Sequence, residues 1–207
     1  MTGRTPLSAD DAIRRLREGN RRFVTGLSGH DQDWEHARRL DPRRAQRPIA
    51  IVLGCSDSRV PLEVIFDQGF GELFVIRVAG NIAAPTQIGS IEYAVTRFSP
   101  PLVVVLGHSN CGAVAAAIDG LFDREISISP HVGEVVRRIQ PVVETVRDAH
   151  RHLDRHELLA PCVRENARSN AALLTRESSL LARRVADGRL RIVGAEYALE
   201  SGRVSFL

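Results

Sequence analysis

Residues 49–54 form the apolar run Ile-Ala-Ile-Val-Leu-Gly, and residues 55–59 follow it with Cys-Ser-Asp-Ser-Arg. The same form returns at residues 102–107, Leu-Val-Val-Val-Leu-Gly, followed at residues 108–112 by His-Ser-Asn-Cys-Gly. A run that is apolar at every position is typical of a central strand in a parallel sheet, because such a strand is buried on both faces. Each run therefore predicts a buried strand that ends in glycine and then delivers residue types that bind metals.

The rest of the chain alternates between strand and helix patterns. We predict strands at residues 49–54, 73–78, 102–106, 190–197 and 204–206, and the turn at 200–203 makes the last two a hairpin. We predict helices from apolar stripes and end signals at residues 8–24, 60–66, 86–98, 111–121, 132–146, 157–175 and 179–186. This order indicates an α/β fold: a central, mostly parallel four-stranded sheet with an antiparallel fifth edge strand, flanked by helices.

The chain length fits one domain. With 207 residues, we predict a single domain over residues 1–207, in which residues 1–47 form an N-terminal helical arm ahead of the first strand. An arm of this kind often packs on a partner subunit, although an ordinary surface helix would have the same pattern.

Composition limits the possible functions. Hydrophobic residues make up 43% and charged residues 26%, as in soluble globular proteins. No apolar stretch approaches the roughly 20 residues that span a membrane, and the N-terminus lacks the apolar core of a secretory signal. We therefore expect a cytoplasmic protein with no membrane partner. The net charge is +3, and arginines alternate with acids, which indicates solvated helix faces rather than a nucleic-acid interface.

Metal-ligand residue types follow the first and third predicted strands. In open α/β sheets, functional groups collect at the carboxyl ends of the strands. If these strands are neighbours, Cys55 and Asp57 would meet His108 and Cys111 at one point. Two thiolates and one imidazole form a soft ligand set that selects zinc over magnesium or calcium. With Asp57 as fourth ligand the site would be closed, and without it the fourth position would be open to water.

Each of these residues also has a simpler interpretation when taken alone. Cys55 or Cys111 could be a buried apolar residue, Asp57 could cap the next helix, and His108 could bond to a loop carbonyl. The zinc prediction depends on their combination at two strand ends. The third cysteine, Cys162, lies in a helical stretch far from both loops, so we interpret it as a core residue. An odd, sparse set of cysteines also argues against a disulfide framework.

Arg59 suggests how the site would work. Its guanidinium can hold the Asp57 carboxylate with two hydrogen bonds and take it off the metal. A zinc-bound water could then lose a proton near neutral pH, and the resulting hydroxide would attack a small electrophilic carbon. Because thiolates donate more charge to zinc than imidazoles do, we expect an activity that rises toward alkaline pH.

The two stretches together, CSDSR and HSNCG, resemble the paired signature of the β-class carbonic anhydrases. The likeness extends from about residue 10 to the C-terminus and includes SIEYAV at residues 90–95 and GAEY at residues 194–197. The resemblance implies an enzyme, a lyase that reversibly hydrates carbon dioxide to bicarbonate and a proton.

The resemblance also implies roles for individual residues. It places Zn²⁺ on Cys55, His108 and Cys111, and makes Asp57 and Arg59 the pair that gates the site and takes part in catalysis. It further implies a homodimer that can pair into a tetramer, with each active site at the subunit interface and the N-terminal arm around the partner.

Further matches point to the plant-like subgroup of that family. Gln46 stands where members of the subgroup have a glutamine that binds substrate from across the interface. Phe74, Ala79 and Tyr93 match positions that line its carbon dioxide pocket, and Gly112 belongs with these substrate-binding residues. Ala79 departs from the pattern, because valine is usual there and forms a larger wall.

Arg77 and Tyr197 match the other subgroup, in which they join a tryptophan to hold an inhibitory bicarbonate. Val52 occupies the position of that tryptophan. We therefore expect no bicarbonate site of that design, and we interpret Arg77 and Tyr197 as structural.

Two alternatives stay open. The same zinc site could hydrolyse carbon disulfide or carbonyl sulfide, as some relatives of this fold do. The chain could also be a non-catalytic, zinc-stabilised interaction protein. The presence of Asp57, Arg59, Gln46 and Gly112 argues against this, since a structural site has no use for the Asp57–Arg59 pair. A nucleotide-binding site is not indicated, since no GxGxxG follows the first strand. The sequence does not distinguish a resting site closed by Asp57 from one open to water.

Overall fold

The computed structural model describes residues 7–27, 45–122 and 129–207. The helices there are α1 (Ala9–Val24), α2 (Leu62–Ile65), α3 (Pro85–Phe98), α4 (Gly112–Phe122), α5 (Pro130–Ala149), α6 (Leu159–Glu177) and α7 (Ser179–Ala186). The strands are β1 (Ala50–Gly54), β2 (Leu73–Arg77), β3 (Leu102–His108), β4 (Arg191–Tyr197) and β5 (Val204–Phe206). A 3₁₀ turn, Ala79–Asn81, follows β2. Each predicted helix and strand is present within a few residues of its predicted bounds.

The five strands form one sheet in the order β2-β1-β3-β4-β5. β1 pairs in parallel with β2 and β3, β3 pairs in parallel with β4, and β5 is antiparallel to β4. This confirms the predicted fold class. It also places β1 beside β3, which is the neighbour relation that the predicted metal site requires.

The end of β3 differs from the prediction. The strand continues two residues beyond 106, so His108 is its last residue and pairs with Tyr197 rather than lying in the loop. Gly107 does not end the strand; it makes room for α6. A Cβ at Gly107 would lie 3.2 Å from the carbonyl oxygen of Val163.

The central strands are covered on both faces, as their apolar runs predict. Every residue of β1 and β3 is buried. Ala50 and Val52 face a core that they share with α1, α2 and β5. Ile51 and Leu53 face the opposite core, which α3, α6 and α7 complete. The alternation of a strand explains this division, since successive side chains point to opposite faces.

Helix α1 packs on its own chain. Ser8 and Asp11 form a capping box at its start, which confirms the predicted cap. Gly19 allows close approach, because a Cβ there would lie 1.8 Å from the carbonyl oxygen of Phe66. Most of the rest of the predicted arm, residues 1–6 and 28–44, lies outside the described residues, so its packing on a partner stays a prediction.

Membrane insertion has no support among the described helices. Within residues 7–27, 45–122 and 129–207, no helix has both the length and the apolar character needed to cross a bilayer.

Candidate metal centre

The ends of β1 and β3 bring three metal-ligand side chains together. Sγ of Cys55, a ring nitrogen of His108 and Sγ of Cys111 all lie within 4.8 Å of one another, and the three residues are buried. The register aligns Gly54 with Leu106, so the two strands deliver their ends at the same edge of the sheet. Asn110 turns the chain back toward the site with a φ of 57°. The predicted convergence of the two loops is therefore present.

The imidazole of His108 is oriented as a metal ligand. Its Nδ1 lies 2.9 Å from the carbonyl oxygen of Ser109, which assigns the ring proton to Nδ1. Its Nε2 is buried and has no hydrogen-bond partner among the described residues. A buried ring nitrogen without a partner costs free energy, and a metal ion at the two cysteines would satisfy it. Metal-binding histidines ordinarily donate the N–H of the ring nitrogen that does not bind the metal to a carbonyl or carboxylate, as Nδ1 of His108 does here.

The two thiols favour a cation between them. Its contact with Cys111 lowers the pKa of Cys55, and the neighbouring ring of His108 and the hydrogen bond from the N–H of Gly80 add to the effect. The same contact with Cys55, together with burial, raises the pKa of Cys111. One thiolate forms readily and opposes the second, so both can be ionised together only when a positive charge lies beside them. The donor set therefore fits a divalent metal ion.

Arg59 holds Asp57 in the manner expected from the sequence. Its Nε donates to Oδ1 at 3.0 Å and its Nη2 donates to Oδ2 at 2.8 Å. Its backbone N–H donates to Oδ1 at 2.9 Å. These bonds hold the pKa of Asp57 well below its usual range. Oδ2 of Asp57 lies 3.9 Å from Nε2 of His108, so the carboxylate borders the ligand group while paired with Arg59.

Arg77 holds the backbone of the same loop. It lies at the end of β2, opposite Gly54, and donates from Nε to the carbonyl oxygen of Cys55 at 3.0 Å. Its Nη2 donates to the carbonyl oxygen of Asp57 at 2.6 Å. These contacts agree with the structural role that we assigned to Arg77. Tyr197 is buried in the core, where burial raises its pKa.

The loop after β3 is held by residues that the sequence did not indicate. Glu200 accepts hydrogen bonds from Oγ of Ser109 at 3.2 Å and from Nδ2 of Asn110 at 3.1 Å. The N–H of Ser109 donates to the carbonyl oxygen of Tyr197 at 2.9 Å. Glu200 is one acid among 25 in the chain and has no local pattern that marks it. Its contact depends on the β4–β5 turn reaching the end of β3.

A second missed group lies behind Cys55. The N–H of Gly80 donates to Sγ of Cys55 at 3.4 Å. Two buried asparagines of α6, Asn166 and Asn170, bond to the backbone that follows this contact, at the carbonyl oxygen of Gly80 and the N–H of Ala83. Polar residues at helical spacing on an apolar helix face were a signal that could have indicated them.

The predicted substrate-binding residues are spread over several elements of the fold. Phe74 and Tyr93 form an aromatic cluster with Phe98, with ring centroids 6.0 to 6.4 Å apart. Tyr93 remains 59% exposed. Gly112 is exposed at the first position of α4, and Ala79 is exposed just after β2.

Gln46 lies at the end of the sheet opposite the ligand group, where the strands begin. It precedes β1, whereas Cys55 follows it, and a strand of this length spans about 16 Å at about 3.3 Å per residue. The structure therefore separates Gln46 from the Cys55 of its own chain. The roles of Gln46 and of the other four substrate-binding residues stay predictions.

Cys162 takes no part in the ligand group. Its side chain is fully buried in the core formed by α4, α5 and α6. Burial raises its pKa to about 11, so the thiol stays protonated at neutral pH. This agrees with its interpretation as a core residue.

The fold and the site define a class of protein. It is an α/β protein whose mainly parallel sheet carries a buried cysteine-histidine-cysteine metal centre at its carboxyl edge, bordered by an aspartate-arginine pair. The carbonic anhydrase family model matches residues 50–204, from β1 into β5.

Individual relatives agree with the family model. A protein named carbonic anhydrase 2 from Mycobacterium tuberculosis is 42% identical over 205 residues, which are 98% of this chain and 93% of that one. The solved structure of the β-carbonic anhydrase CcaA is 27% identical, with a TM-score of 0.71 and coverage of 94% of each chain. A structure from a study of two tetrameric β-carbonic anhydrases of Sordaria macrospora is 26% identical, with a TM-score of 0.66 and coverage of 90% and 97%. The chain belongs to the carbonic anhydrase family, which confirms the resemblance drawn from its two signature stretches.

Proposed function

We propose that this chain catalyses the reversible hydration of carbon dioxide to bicarbonate and a proton at a zinc ion held by Cys55, His108 and Cys111. The observation that carries the proposal is the buried ligand group with the Asp57–Arg59 pair beside it, in a chain of the carbonic anhydrase family. Thiolate and imidazole ligands favour zinc among the common biological metals.

The ligand residues have separate tasks in this proposal. A bound zinc ion would supply Lewis acidity that lowers the pKa of a water molecule toward neutrality. Cys55 and Cys111 supply the negative charge that holds the metal. The Nδ1–H of His108 bonds to the carbonyl of Ser109, which keeps Nε2 available and fixes the plane of the ring.

Asp57 and Arg59 orient the reacting water and gate the site. While Arg59 holds it, Asp57 is an ionised hydrogen-bond acceptor 3.9 Å from Nε2 of His108. From there it can accept a hydrogen bond from the water and aim its oxygen at the carbon of the substrate. If Arg59 released it, Asp57 could become a fourth ligand and close the site. Arg59 would thereby decide which of the two states the site adopts.

The substrate residues support a dimer. We propose that Gln46, Phe74, Ala79, Tyr93 and Gly112 line the carbon dioxide site. Because β1 separates Gln46 from the metal ligands of its own chain, Gln46 would serve the site of a partner subunit. The partly exposed aromatic cluster at Tyr93 offers apolar surface for such an interface. We propose a homodimer that can assemble further into a tetramer, as the Sordaria relatives do, with the N-terminal arm around the partner.

Two further observations support this function. Cys55, Cys111 and Cys162 are all free, which suits a reducing cytoplasm. Structural zinc sites use four protein ligands, whereas three converge within the part of the chain that the structure describes and the nearby carboxylate is paired with arginine. The geometry therefore favours catalysis over a purely structural zinc site. No observation favours carbon disulfide or carbonyl sulfide as substrate.

The direct test is zinc content together with stopped-flow hydration of carbon dioxide. We expect one zinc per chain and a hydration rate that rises toward alkaline pH, because two thiolates make the metal a weaker Lewis acid than three imidazoles would. Asp57→Asn should retain zinc and lose about 100-fold in rate, the order of effect for a positioned proton acceptor. A zinc-loaded wild type without hydration at any pH would contradict the proposal.

A further inference from the structure

Helix α6 buries two side-chain amides among apolar residues. Asn166 is fully buried and Asn170 is 6% exposed. The two lie four residues apart and therefore on one face of the helix. Next to them on this face, α6 uses alanine and leucine. A buried amide costs free energy unless it is hydrogen-bonded, so both side chains need hydrogen-bond partners inside the protein.

The two amides hold one backbone segment at both ends. Nδ2 of Asn166 donates to the carbonyl oxygen of Gly80 at 2.9 Å. Oδ1 of Asn170 accepts the N–H of Ala83 at 2.7 Å. Nδ2 of Asn170 also donates to the backbone oxygen and to Oδ1 of Asn166, at 2.8 and 2.9 Å. The two asparagines are therefore bonded to each other and together hold residues 80–83 by hydrogen bonds.

The gripped segment has an uncommon backbone. Gly80 has a φ of 71° and Asn81 a φ of 44°, both in the left-handed region. Glycine is favoured at position 80 by this φ, and a Cβ there would also lie 2.6 Å from Cδ1 of Ile139 and 3.2 Å from Cβ of Ala113. Backbone in uncommon conformations persists only where contacts with the surrounding structure hold it in place. The bonds from α6 supply part of that constraint.

The constraint is transmitted to the metal centre through a single residue. Asn166 holds the carbonyl of Gly80, and the N–H of Gly80 donates to Sγ of Cys55 at 3.4 Å. A hydrogen bond to a thiolate withdraws electron density from the sulfur and limits its orientations. Such outer partners tune both the affinity and the electronic character of a metal site.

We propose that Asn166 and Asn170 are positioning residues of the metal centre, which hold Gly80 so that its N–H bonds to Cys55 and sets the electron density of that thiolate. The inference rests on the proposed function, because it requires a metal at Cys55. It adds α6, which contributes none of the three metal ligands, to the parts of the chain that determine the properties of the site.

The test uses cobalt(II) in place of zinc, because thiolate-to-cobalt charge-transfer absorption reports the electron density on sulfur. In Asn166→Leu, which keeps a similar volume but lacks the donor, the band should move to longer wavelength. A thiolate that has lost its hydrogen bond gives up charge more easily. Zinc affinity should fall about tenfold, the lower end of the range for outer partners of a metal ligand.

Asn20→Leu is the matched control. Asn20 is an asparagine of α1 that is also 6% exposed, and its Nδ2 donates to the carbonyl oxygens of Ile65 and Gly202. Its loss removes comparable buried hydrogen bonds that do not involve Gly80 or Cys55. The control should keep the wild-type band and zinc affinity even if it unfolds more easily.

The outcomes separate this inference from the proposed function. A wild type that gives no cobalt charge-transfer band would contradict the metal site itself. A wild type with the band and an Asn166→Leu protein with an identical band would overturn the positioning role. Equal band shifts in the Asn166 and Asn20 variants would also overturn it, since the effect would then be general loosening.

A measurement on the wild type covers the case in which Asn166→Leu does not fold. Cadmium-113 is loaded into ¹⁵N-labelled protein, and the amide proton of Gly80 is examined for scalar coupling to the metal. Such coupling passes through an N–H···S hydrogen bond to a metal-bound sulfur, so we expect it at Gly80. Its absence in a cadmium-loaded protein would overturn the inference.

Discussion

The loop after β1 and the loop after β3 each bring one cysteine to the metal centre, but they are held in different ways. In the β1 loop, Asp57 and Arg59 bond to each other near the surface, where the Arg59 side chain is 57% exposed and that of Asp57 is 17% exposed. At the end of β3, His108 is fully buried, and in the loop that follows Cys111 is 1% exposed. There Glu200 ties the loop to the β4–β5 turn.

We propose that this difference makes the β1 loop the conditional half and the β3 loop the permanent half of one site. The Arg59 guanidinium is largely exposed, so water can replace its bonds to Asp57 when the pair opens. A buried imidazole with a fixed Nδ1 bond has no comparable alternative partner. The β1 loop can therefore carry a gate, whereas the β3 loop can only carry ligands. Each prediction below tests this division, in order of expected effect.

The largest effect is expected in the permanent half. Cys111→Ser replaces a thiolate with a hydroxyl that is a poor zinc ligand, so the chain should lose zinc and hydration together. The loss of affinity should exceed the roughly 10- to 100-fold that outer partners contribute. Zinc titration and stopped-flow hydration measure both. A variant that kept one zinc and normal hydration would show that Cys111 is not a ligand.

The next effect is expected in the conditional half. Arg59→Gln removes the charge that depresses the pKa of Asp57, so this pKa should rise toward its usual value of about 3.9. The carboxylate stays ionised at neutral pH but is released toward the metal. Zinc should be retained while hydration falls about 100-fold.

A double variant tests whether the two residues act as one unit. Asp57→Asn with Arg59→Gln should be no slower than the slower single variant, because residues that share one interaction are not additive. Arg138→Gln is the matched control, since Arg138 pairs with Glu134 on the surface of α5. It should leave hydration unchanged, and additive losses in the double variant would contradict a shared role.

A smaller effect is expected from the residues that hold the two loops. Arg77→Met leaves the carbonyl oxygens of Cys55 and Asp57 without their donor, so hydration should fall about tenfold with zinc retained. Glu200→Gln preserves one acceptor oxygen for Ser109 or Asn110 and should cost less. Rates for both variants at equal zinc content give the comparison. A greater loss of hydration activity in Glu200→Gln than in Arg77→Met would contradict this prediction.

The smallest effect on the site is expected at Cys162. Its burial and raised pKa make it a core thiol, so Cys162→Ser should lower the free energy of unfolding by about 1 to 3 kcal/mol through a buried hydroxyl. Zinc content and hydration should stay at wild-type values. Denaturant unfolding measures the first and zinc analysis the second. Loss of zinc in a folded Cys162→Ser protein would show that Cys162 contributes to metal binding and would contradict its interpretation as a core residue.

Much of the fold and the ligand group could be predicted because their signals are local. A strand buried on both faces must be apolar at every position, so β1 and β3 are evident from a few consecutive residues. The ligands follow directly along the chain, and Arg59 lies two residues from Asp57. Gly107 misled the prediction because its role is to admit α6, and a close approach leaves no mark on the flanking sequence.

The sequence by itself determined the strands, the residues of the candidate ligand group and the pairing of Asp57 with Arg59, since each depends on residue type and short spacing. Only the tertiary structure decided which distant groups hold them. Glu200 reaches the loop after β3 across 90 residues of chain, and Asn166 reaches Gly80 across 86. Hydrogen bonds act over about 3 Å, so such partners exist only once the sheet and α6 have brought them together.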